Sequence, residues 1–391
     1  MNSMQNYISD TVQSLKPSGI RKFFDLVSQT EGVISLGVGE PDFVTPWHIR
    51  EACLYSLENG YTMYTSNLGL PELRAEIAQY EQQAIGVEYS PQNQILVTVG
   101  VSEAIDIALR ALLEQGDEVL IPEPCYVSYA PGVLLAYGKP VALASSEEDQ
   151  YRLRPQELAA KITPRTKVLI LAYPNNPTGA IMEKEDLEAL TDIIIKNDLI
   201  VISDEIYAEL SYNTRHYSIA ALPGMYDRTI VMNGFSKAYA MTGWRIGYAC
   251  GHRDLIAAMT KIHQYTIMCA PIMAQKAAIE ALRHGETEMH KMVADYNYRR
   301  KLMYNGLNEI GLTCFEPQGA FYCFPSIRNT ALNSEEFSEK LLFEEKVAVV
   351  PGNAFGVSGE GHIRCCYAAS VKNIEMALKR MQAFVNRHSK A

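Results

Sequence analysis

Short runs of apolar residues alternate along much of the chain with longer segments of helical periodicity. The strand-like runs are QILVTVG, EVLIP, KVLILAYP, LIVISDE, TIVMNGF and RIGYACG. They contain few polar residues, which is typical of strands covered on both faces of a sheet. The segments between them have the spacing of helices and include SEAIDIALRALLEQG, SYAPGVLLAYG and EKEDLEALTDIIIKND. This alternation predicts a largely parallel α/β sheet.

The pattern changes after residue 285, where a long polar segment of helical spacing is followed by shorter elements. These elements are GAFYCFP, SEEFSEKLLFEEK, VAVVPG and HIRCCYA, and a last helix closes the chain. A chain of 391 residues is longer than one core usually supports, so two domains are expected. We predict a large domain at 46–285, a smaller α+β domain at 286–391, and an N-terminal arm at 1–45 that forms part of the small domain.

Composition narrows the classes of partner. The formal net charge is −10, so no basic surface for nucleic acid or an anionic membrane is expected. No apolar run is long enough to cross a bilayer, and the N-terminus lacks the basic and apolar regions of a signal peptide. We therefore expect a cytoplasmic protein. The 8 cysteines include no C-x-x-C pair, which favours reduced core thiols over a disulfide framework or a metal site.

Polar residues follow several predicted strands at their carboxyl ends, where open α/β sheets bind ligands. In VTVGVSEAI, Gly100 permits a tight turn, and the N–H groups of Val101 and Ser102 at a helix start form an anion site. Such turns also occur without any ligand. In YPNNPTG, Asn175 and Asn176 offer directional hydrogen bonds, although a plain Asn-Pro turn explains the dipeptide equally well.

Two further segments carry ionisable groups. ISDEIY ends a strand at Asp204, with Tyr207 following it, and a buried carboxylate needs a positive or hydrogen-bonding partner unless it caps the next turn. NGFSKAYAMTGWRIGYACG places Lys237 among small and apolar neighbours. Its amine can form a Schiff base when desolvation lowers its pKa, and Ser236 and Arg245 beside it suit a phosphate group. The four segments together predict a reactive lysine beside an anion site.

The whole chain resembles the class I and II aminotransferases, which are fold type I enzymes that use pyridoxal 5′-phosphate (PLP). The matching strings are GEPDF, YTSNLGLPELR, NNPTG, SDEIY, FSKAYAMTGWRIGY, GAFYCFP and HIRCCYA, and they run in the family's order from Gly39 to Ala368. The resemblance implies a large cofactor-binding domain with a mostly parallel seven-stranded sheet covered by helices. It also implies a smaller α+β domain.

The resemblance assigns roles around the cofactor ring. Lys237 would form the Schiff base and then act as general base and acid. Asp204 would pair with the protonated pyridine nitrogen and keep the ring an electron sink. Tyr207 and Asn176 would hydrogen-bond the ring's phenolate oxygen, and Tyr126 would stack on the ring face. The residues implied as phosphate ligands are Val101, Ser102, Ser236 and Arg245, whereas Gly234 stands where some relatives have serine.

The resemblance implies roles for three further residues in substrate binding and in the assembly of subunits. Arg364 resembles the arginine that clamps the substrate α-carboxylate as a fork, although a strand arginine can also be a salt-bridge residue. Gly39, with Asn176, would allow close approach of that carboxylate. Tyr64 resembles the tyrosine that reaches the cofactor phosphate of a neighbouring subunit. The resemblance therefore implies a homodimer with composite active sites.

The implied reaction moves an amino group from an L-amino acid, aromatic or aspartate, to a 2-oxo acid, with 2-oxoglutarate the expected acceptor, in a ping-pong sequence. A PLP-dependent carbon–sulfur β-lyase would use the same residues. A non-enzymatic effector sensor is a poorer match, since it needs a fused DNA-binding region and the chain is acidic.

The segment KPSGIRKFFDL resembles a pocket cover. Its apolar residues suit either the binding of an apolar substrate side chain or simple helix packing. Its two cations suit a second carboxylate of the substrate. These residues are Ile20, Phe23 and Phe24, and Arg21 and Lys22.

Overall fold

The computed structural model describes residues 4–15 and 30–390. Its helices are α1 (Asp10–Ser14), α2 (Trp47–Glu58), α3 (Pro71–Ile85), α4 (Gly100–Leu112), α5 (Tyr129–Leu135), α6 (Pro155–Lys161), α7 (Lys184–Lys196), α8 (Arg253–Thr266), α9 (Ile272–His284), α10 (Glu286–Glu309), α11 (Ser334–Glu345) and α12 (Val371–His388). Its strands are β1 (Ile34–Ser35), β2 (Ile95–Thr98), β3 (Glu118–Glu123), β4 (Lys139–Ala144), β5 (Thr166–Ala172), β6 (Ile200–Asp204), β7 (Thr229–Gly234), β8 (Gly247–Cys250), β9 (Tyr322–Cys323), β10 (Val347–Ala348), β11 (Val350–Pro351) and β12 (Ile363–Cys366).

The large sheet has seven strands in the order β2-β8-β7-β6-β5-β3-β4. Strand β8 runs antiparallel to both of its neighbours, and the other adjacent pairs are parallel. The predicted mostly parallel seven-stranded sheet covered by helices is therefore confirmed. Every residue of β2, β7 and β8 is buried, which explains their lack of polar alternation.

Helix α4 shows how the sequence fixes one covering layer. Its buried residues, among them Ala104, Ile107 and Ala108, recur at helical spacing and pack in one apolar cluster with strand and α8 side chains. The helix begins at Gly100, two residues before the predicted start at Ser102. The first turn of α4 therefore lies directly beyond the end of β2, with its N–H groups at the carboxyl edge of the sheet.

The smaller sheet has the antiparallel order β11-β12-β9, with Val350 opposite Arg364 and Cys366 opposite Tyr322. A separate parallel pair joins β1 to β10. One apolar core holds residues from β1 together with residues from α10, α11 and α12. The N-terminal segment from residue 34 is thus packed with C-terminal elements, while the predicted boundaries at residues 46 and 286 stay predictions.

Within the two described ranges, no helix combines the length and the apolar character that crossing a membrane requires.

Candidate active site

A cavity of about 460 Å³ lies at the carboxyl ends of β5, β6 and β7 and is closed on its other side by residues of the small sheet. This is the edge at which open α/β sheets bind ligands. The sequence-predicted residues that line it are Gly39, Val101, Ser102, Tyr126, Asn176, Asp204, Tyr207, Ser236, Lys237, Arg245 and Arg364. The structure therefore brings all but one of the predicted site residues together.

Lys237 lies in the turn that follows β7, and its amine points into the cavity. Nζ donates a hydrogen bond to the carbonyl oxygen of Gly39 at 2.8 Å. The rings of Tyr207 and Phe321 lie 5.7 and 5.6 Å from Nζ, measured to the ring centroids. Burial lowers the pKa of the amine to about 8, because the charged form is poorly solvated there. About a tenth of the amine is therefore neutral and nucleophilic at pH 7, far more than at the ordinary pKa of 10.5.

Asp204 is the last residue of β6, and it is buried. Its Oδ2 accepts a hydrogen bond from the Tyr129 hydroxyl at 2.8 Å, and its Oδ1 accepts one from the Ile206 N–H at 3.2 Å. Burial raises the pKa of the carboxyl to about 6, and the two hydrogen bonds oppose that rise. A cationic ligand atom beside this carboxylate would stabilise its charged form.

The turns beneath the anion site are packed so closely that they require glycine. Gly100 has a φ of +74°, and a Cβ there would lie 2.7 Å from a terminal nitrogen of Arg245. A Cβ on Gly247 would lie 2.8 Å from the backbone nitrogen of Val101. Arg245 itself has a φ of 54°, and one terminal nitrogen donates to the carbonyl oxygen of Thr242 at 3.0 Å. The first turn of α4, which contains Ser102, therefore lines the same corner of the cavity as the Arg245 guanidinium and Ser236.

Gly234 shows why no serine stands at that position. A Cβ on Gly234 would lie 2.9 Å from the Cα of Gly247 in the neighbouring strand β8. Because the obstructing atoms belong to backbone, a larger residue would push the two strands apart. The hydroxyl contact that some relatives gain here is therefore sterically excluded by the strand packing of this chain.

Arg364, on β12, is only 2% exposed. One terminal nitrogen donates to Oδ1 of Asn176 at 2.8 Å and the other to the carbonyl oxygen of Gly37 at 2.7 Å. The guanidinium lies over the rings of Tyr322 and Phe355, 4.4 and 4.9 Å from their centroids. Among the described residues, both acceptors of Arg364 are neutral oxygens rather than carboxylates, and its Nε has no hydrogen-bond partner. A buried cation of this kind suits an anionic ligand.

Several cavity residues were not predicted as site residues. Tyr322 is the most central, since its hydroxyl lies 2.8 Å from the hydroxyl of Tyr207. Tyr129 holds Asp204 and packs edge to face against Tyr126, with ring centroids 5.7 Å apart. Tyr322 belongs to the string GAFYCFP and Tyr129 lies three residues after Tyr126, but the direction of each side chain depends on strand register and turn geometry that the sequence does not specify.

Seven other residues that the sequence singled out do not line this cavity in the described structure. Tyr64 lies outside the cavity and is 81% exposed. Asn175 faces the turn rather than the cavity, because its Oδ1 accepts hydrogen bonds from the Thr178 N–H and hydroxyl. The pocket-cover residues Ile20, Arg21, Lys22, Phe23 and Phe24 lie outside the described residues.

Across the described ranges, no group of three or more His, Cys, Asp or Glu side chains is arranged to hold a metal ion.

Comparison with known proteins places this geometry in context. The family model described as "Aminotransferase class I and II" matches residues 31–381. The Bacillus subtilis (strain 168) protein named "Putative aminotransferase YugH" is 53% identical over 98% of this chain and 100% of its own length. An aspartate aminotransferase of Pyrococcus abyssi is 47% identical, with 96% and 97% covered. The crystal structure of an aromatic aminotransferase from Pyrococcus horikoshii OT3 is 46% identical, with 93% and 99% covered and a TM-score of 0.90.

Proposed function

This chain belongs to the class I and II aminotransferases, and from that premise we propose that its cavity holds PLP and transfers the amino group of an aromatic amino acid or aspartate to 2-oxoglutarate. It is an aminotransferase with the fold type I architecture. The observation that carries the proposal is one cavity with a desolvated lysine amine, a buried strand-end carboxylate and a buried arginine that no carboxylate of the described residues pairs.

The residues present fit PLP. Gly100 and Gly247 lie where no side chain would fit beside the first turn of α4, and the N–H groups of that turn would face the cofactor phosphate. The phosphate ligands would be Val101, Ser102, Ser236 and Arg245. Asp204 would hold the ring nitrogen, Asn176 and Tyr207 the phenolate oxygen, and Tyr126 the ring face. When bound, PLP supplies an electron sink that stabilises negative charge at the substrate Cα.

The side chains of the cavity bind the substrate and move its proton. Asp204 keeps a proton on the atom it faces, since a buried carboxylate is stabilised by a cationic partner. Arg364 and the amide of Asn176 grip the substrate α-carboxylate, and the absence of a side chain at Gly39 lets it approach. Lys237 Nζ would accept the proton from the substrate Cα as general base and donate it again as general acid. Its pKa of about 8 suits both directions of that transfer near neutral pH.

The names of similar proteins support the two substrate classes. One is an aspartate aminotransferase and another an aromatic aminotransferase, at almost the same identity. The cavity lining with no role assigned above includes Ile105, Val127 and Ser128, which together are neither strongly charged nor wholly apolar. The described residues of the cavity thus leave both classes open, and experiment must rank them.

We also infer a homodimer in which Tyr64 serves the partner's site. Large apolar side chains are exposed on α2, on the segment after it and at the end of α8. They include Trp47, Tyr55, Met63, Tyr64, Tyr265 and Met268. These segments are adjacent, because Asn67 donates to the carbonyl oxygen of Met268 at 2.8 Å and α2 packs on α9. An apolar surface of this kind supports an interface between copies. A cytoplasmic location fits the 8 free cysteines.

The test is a half-reaction. Purified protein loaded with PLP is mixed with one amino acid at a time and no acceptor, and the visible absorbance of the bound cofactor is followed. Loss of that absorbance with tyrosine, phenylalanine or aspartate, restored by 2-oxoglutarate, supports the proposal and ranks the donors. If none of these amino acids removes the absorbance and cystathionine releases pyruvate, a β-lyase function would replace the proposed aminotransferase reaction.

A further inference from the structure

Tyr322 lies where the groups of the cavity meet, yet no role has been assigned to it. It is 1% exposed, and its hydroxyl lies 2.8 Å from that of Tyr207. Its ring supports the Arg364 guanidinium at 4.4 Å. A Cβ on Gly39 would lie 2.5 Å from the Tyr322 hydroxyl, so this phenol occupies the space that the missing side chain leaves. Tyr322 therefore touches both ends of the cavity.

Strand register fixes this position. Strands β9 and β12 are antiparallel, and Tyr322 is the partner of Cys366. Arg364 stands two residues before Cys366 on the same strand, so its side chain projects from the same face. Tyr322 and Arg364 are thus diagonal neighbours on one face of the small sheet, close enough for an aromatic ring and a guanidinium to stack.

The surroundings of the Tyr207 and Tyr322 hydroxyls determine which of the two donates the hydrogen bond. A tyrosine hydroxyl has a single hydrogen to donate. In the function proposed above, on which this inference rests, Tyr207 gives its hydrogen to the phenolate oxygen of the cofactor. Tyr207 then accepts from Tyr322, which has no other hydrogen-bond partner among the described residues. The two phenols form a chain in which the outer donor strengthens the inner one.

We propose that Tyr322 is a positioning residue that ties the carboxylate clamp to the cofactor end of the site: its hydroxyl orients and strengthens Tyr207, and its ring holds Arg364. The alternative is a core aromatic with no influence on either end. Tyr322 does pack edge to face on Phe321 and Tyr207, with centroids 4.9 and 5.9 Å away. Packing alone would affect stability, but it would not move a titration of the cofactor.

The first readout is the pH midpoint of the absorbance change of PLP-loaded protein. When the proton on the lysine–cofactor bond leaves, the phenolate oxygen loses its nearest neutralising partner, so a hydrogen bond to it matters most in the deprotonated form. Tyr322→Phe weakens that bond and should raise the midpoint by about 0.5 to 1 pH unit. The matched control is Tyr367→Phe, which removes a buried hydroxyl that bonds Ala320 and Tyr212 and does not line the cavity.

The second readout is the dissociation constant of a carboxylate without an amino group. The probes are maleate and 3-phenylpropionate, and the one that wild type binds more tightly is used. Tyr322→Phe keeps the ring under Arg364 and should change the constant less than about 2-fold. Tyr322→Leu removes the ring and should weaken binding about 3- to 30-fold. Circular dichroism melts of all variants confirm that they fold.

The outcomes separate cleanly. A raised midpoint in Tyr322→Phe with the control unchanged, and weaker carboxylate binding only in Tyr322→Leu, support the proposal. A midpoint equal to that of Tyr367→Phe, or equal carboxylate binding by the Phe and Leu variants, overturns it while leaving the aminotransferase site intact. Wild-type protein that gains no visible absorbance with PLP would instead overturn the proposed cofactor function, and the Tyr322 inference with it.

Discussion

At the scale of single residues, the cavity holds two ionisable groups whose pKa values are shifted towards neutrality. Burial lowers the pKa of Lys237 to about 8 and raises that of Asp204 to about 6. Both shifts have the same cause, since each charged form is poorly solvated. The cofactor-free protein therefore carries a free-energy cost at its active site, which the ligand that the site is shaped for would relieve.

Lys237→Met tests that cost. At pH 7 the native protein must keep a buried lysine charged, so the methionine variant without cofactor should resist unfolding better by about 1–3 kcal/mol. Because the native pKa is the lower one, the wild type regains stability as the pH rises from about 8 to 10.5, and the difference should shrink over that window. Urea unfolding at pH 7 and pH 10 measures both points. The variant should also lose turnover, and a variant that keeps turnover would remove Lys237 from the reaction.

Asp204→Asn tests a pH dependence of stability that is opposite to that of Lys237. A carboxyl whose native pKa is raised gives stability that is present below its ordinary value of 3.8 and lost as the pH rises through about 6. The cofactor-free asparagine variant should therefore match wild type near pH 4 and exceed it by about 1–3 kcal/mol at pH 7.

The same change should lower the turnover number about 100- to 1,000-fold, since a neutral amide cannot hold a proton on the ring nitrogen. Steady-state rates with the best donor measure this. Tyr129→Phe, which removes only the hydrogen bond to Asp204, is the milder control. Equal rates for the Asn variant and wild type would exclude the assigned role.

At the scale of elements, the strand ends and the turns after them carry the site, and these were the parts the sequence could predict. Asp204 is the last residue of β6 and Lys237 follows the end of β7, whereas Arg245 lies just before β8 begins; all three flank buried strands, which the sequence marks by apolar runs. Strand β4 was not predicted, because it is a largely exposed edge strand that contains Pro140. Tyr322 was not assigned a role because antiparallel register between β9 and β12 sets its direction, and one strand's sequence does not state its partner.

Gly247→Ala probes the packing beneath the anion corner. Its Cβ would meet the Val101 nitrogen at 2.8 Å and the Gly100 carbonyl carbon at 2.9 Å, and backbone cannot move aside without shifting the first turn of α4. PLP affinity should fall about 10-fold or more. Gly243→Ala is the matched control, because it lies in the same segment and has no heavy atom within 4 Å of its added Cβ. Fluorescence titration with PLP measures both, and equal affinities would show that the corner does not bind the phosphate.

At the scale of the whole molecule, the chain brings eleven of the predicted site residues to one cavity and leaves Tyr64 exposed on its surface. Tyr64 is 81% exposed on a surface that also exposes Met63 and Tyr265 at 75% and 88%. A side chain with that exposure contributes little to its own fold, so its presence is best explained by a partner that covers it. A twofold dimer would place each Tyr64 at the site of the other copy.

Complementation between two weakened variants tests this arrangement. Tyr64→Ala damages the partner's site, and Lys237→Ala damages its own. In a mixed dimer, the site that keeps Lys237 lies on the Tyr64→Ala chain and receives its tyrosine from the other chain, so that site is intact. Half of randomly assorted dimers are mixed, and each has one intact site, so the activity should recover to roughly a quarter of wild type. Each variant alone, co-refolded with itself, is the control. Recovery no greater than the average of the two controls would mean that Tyr64 serves its own subunit or none.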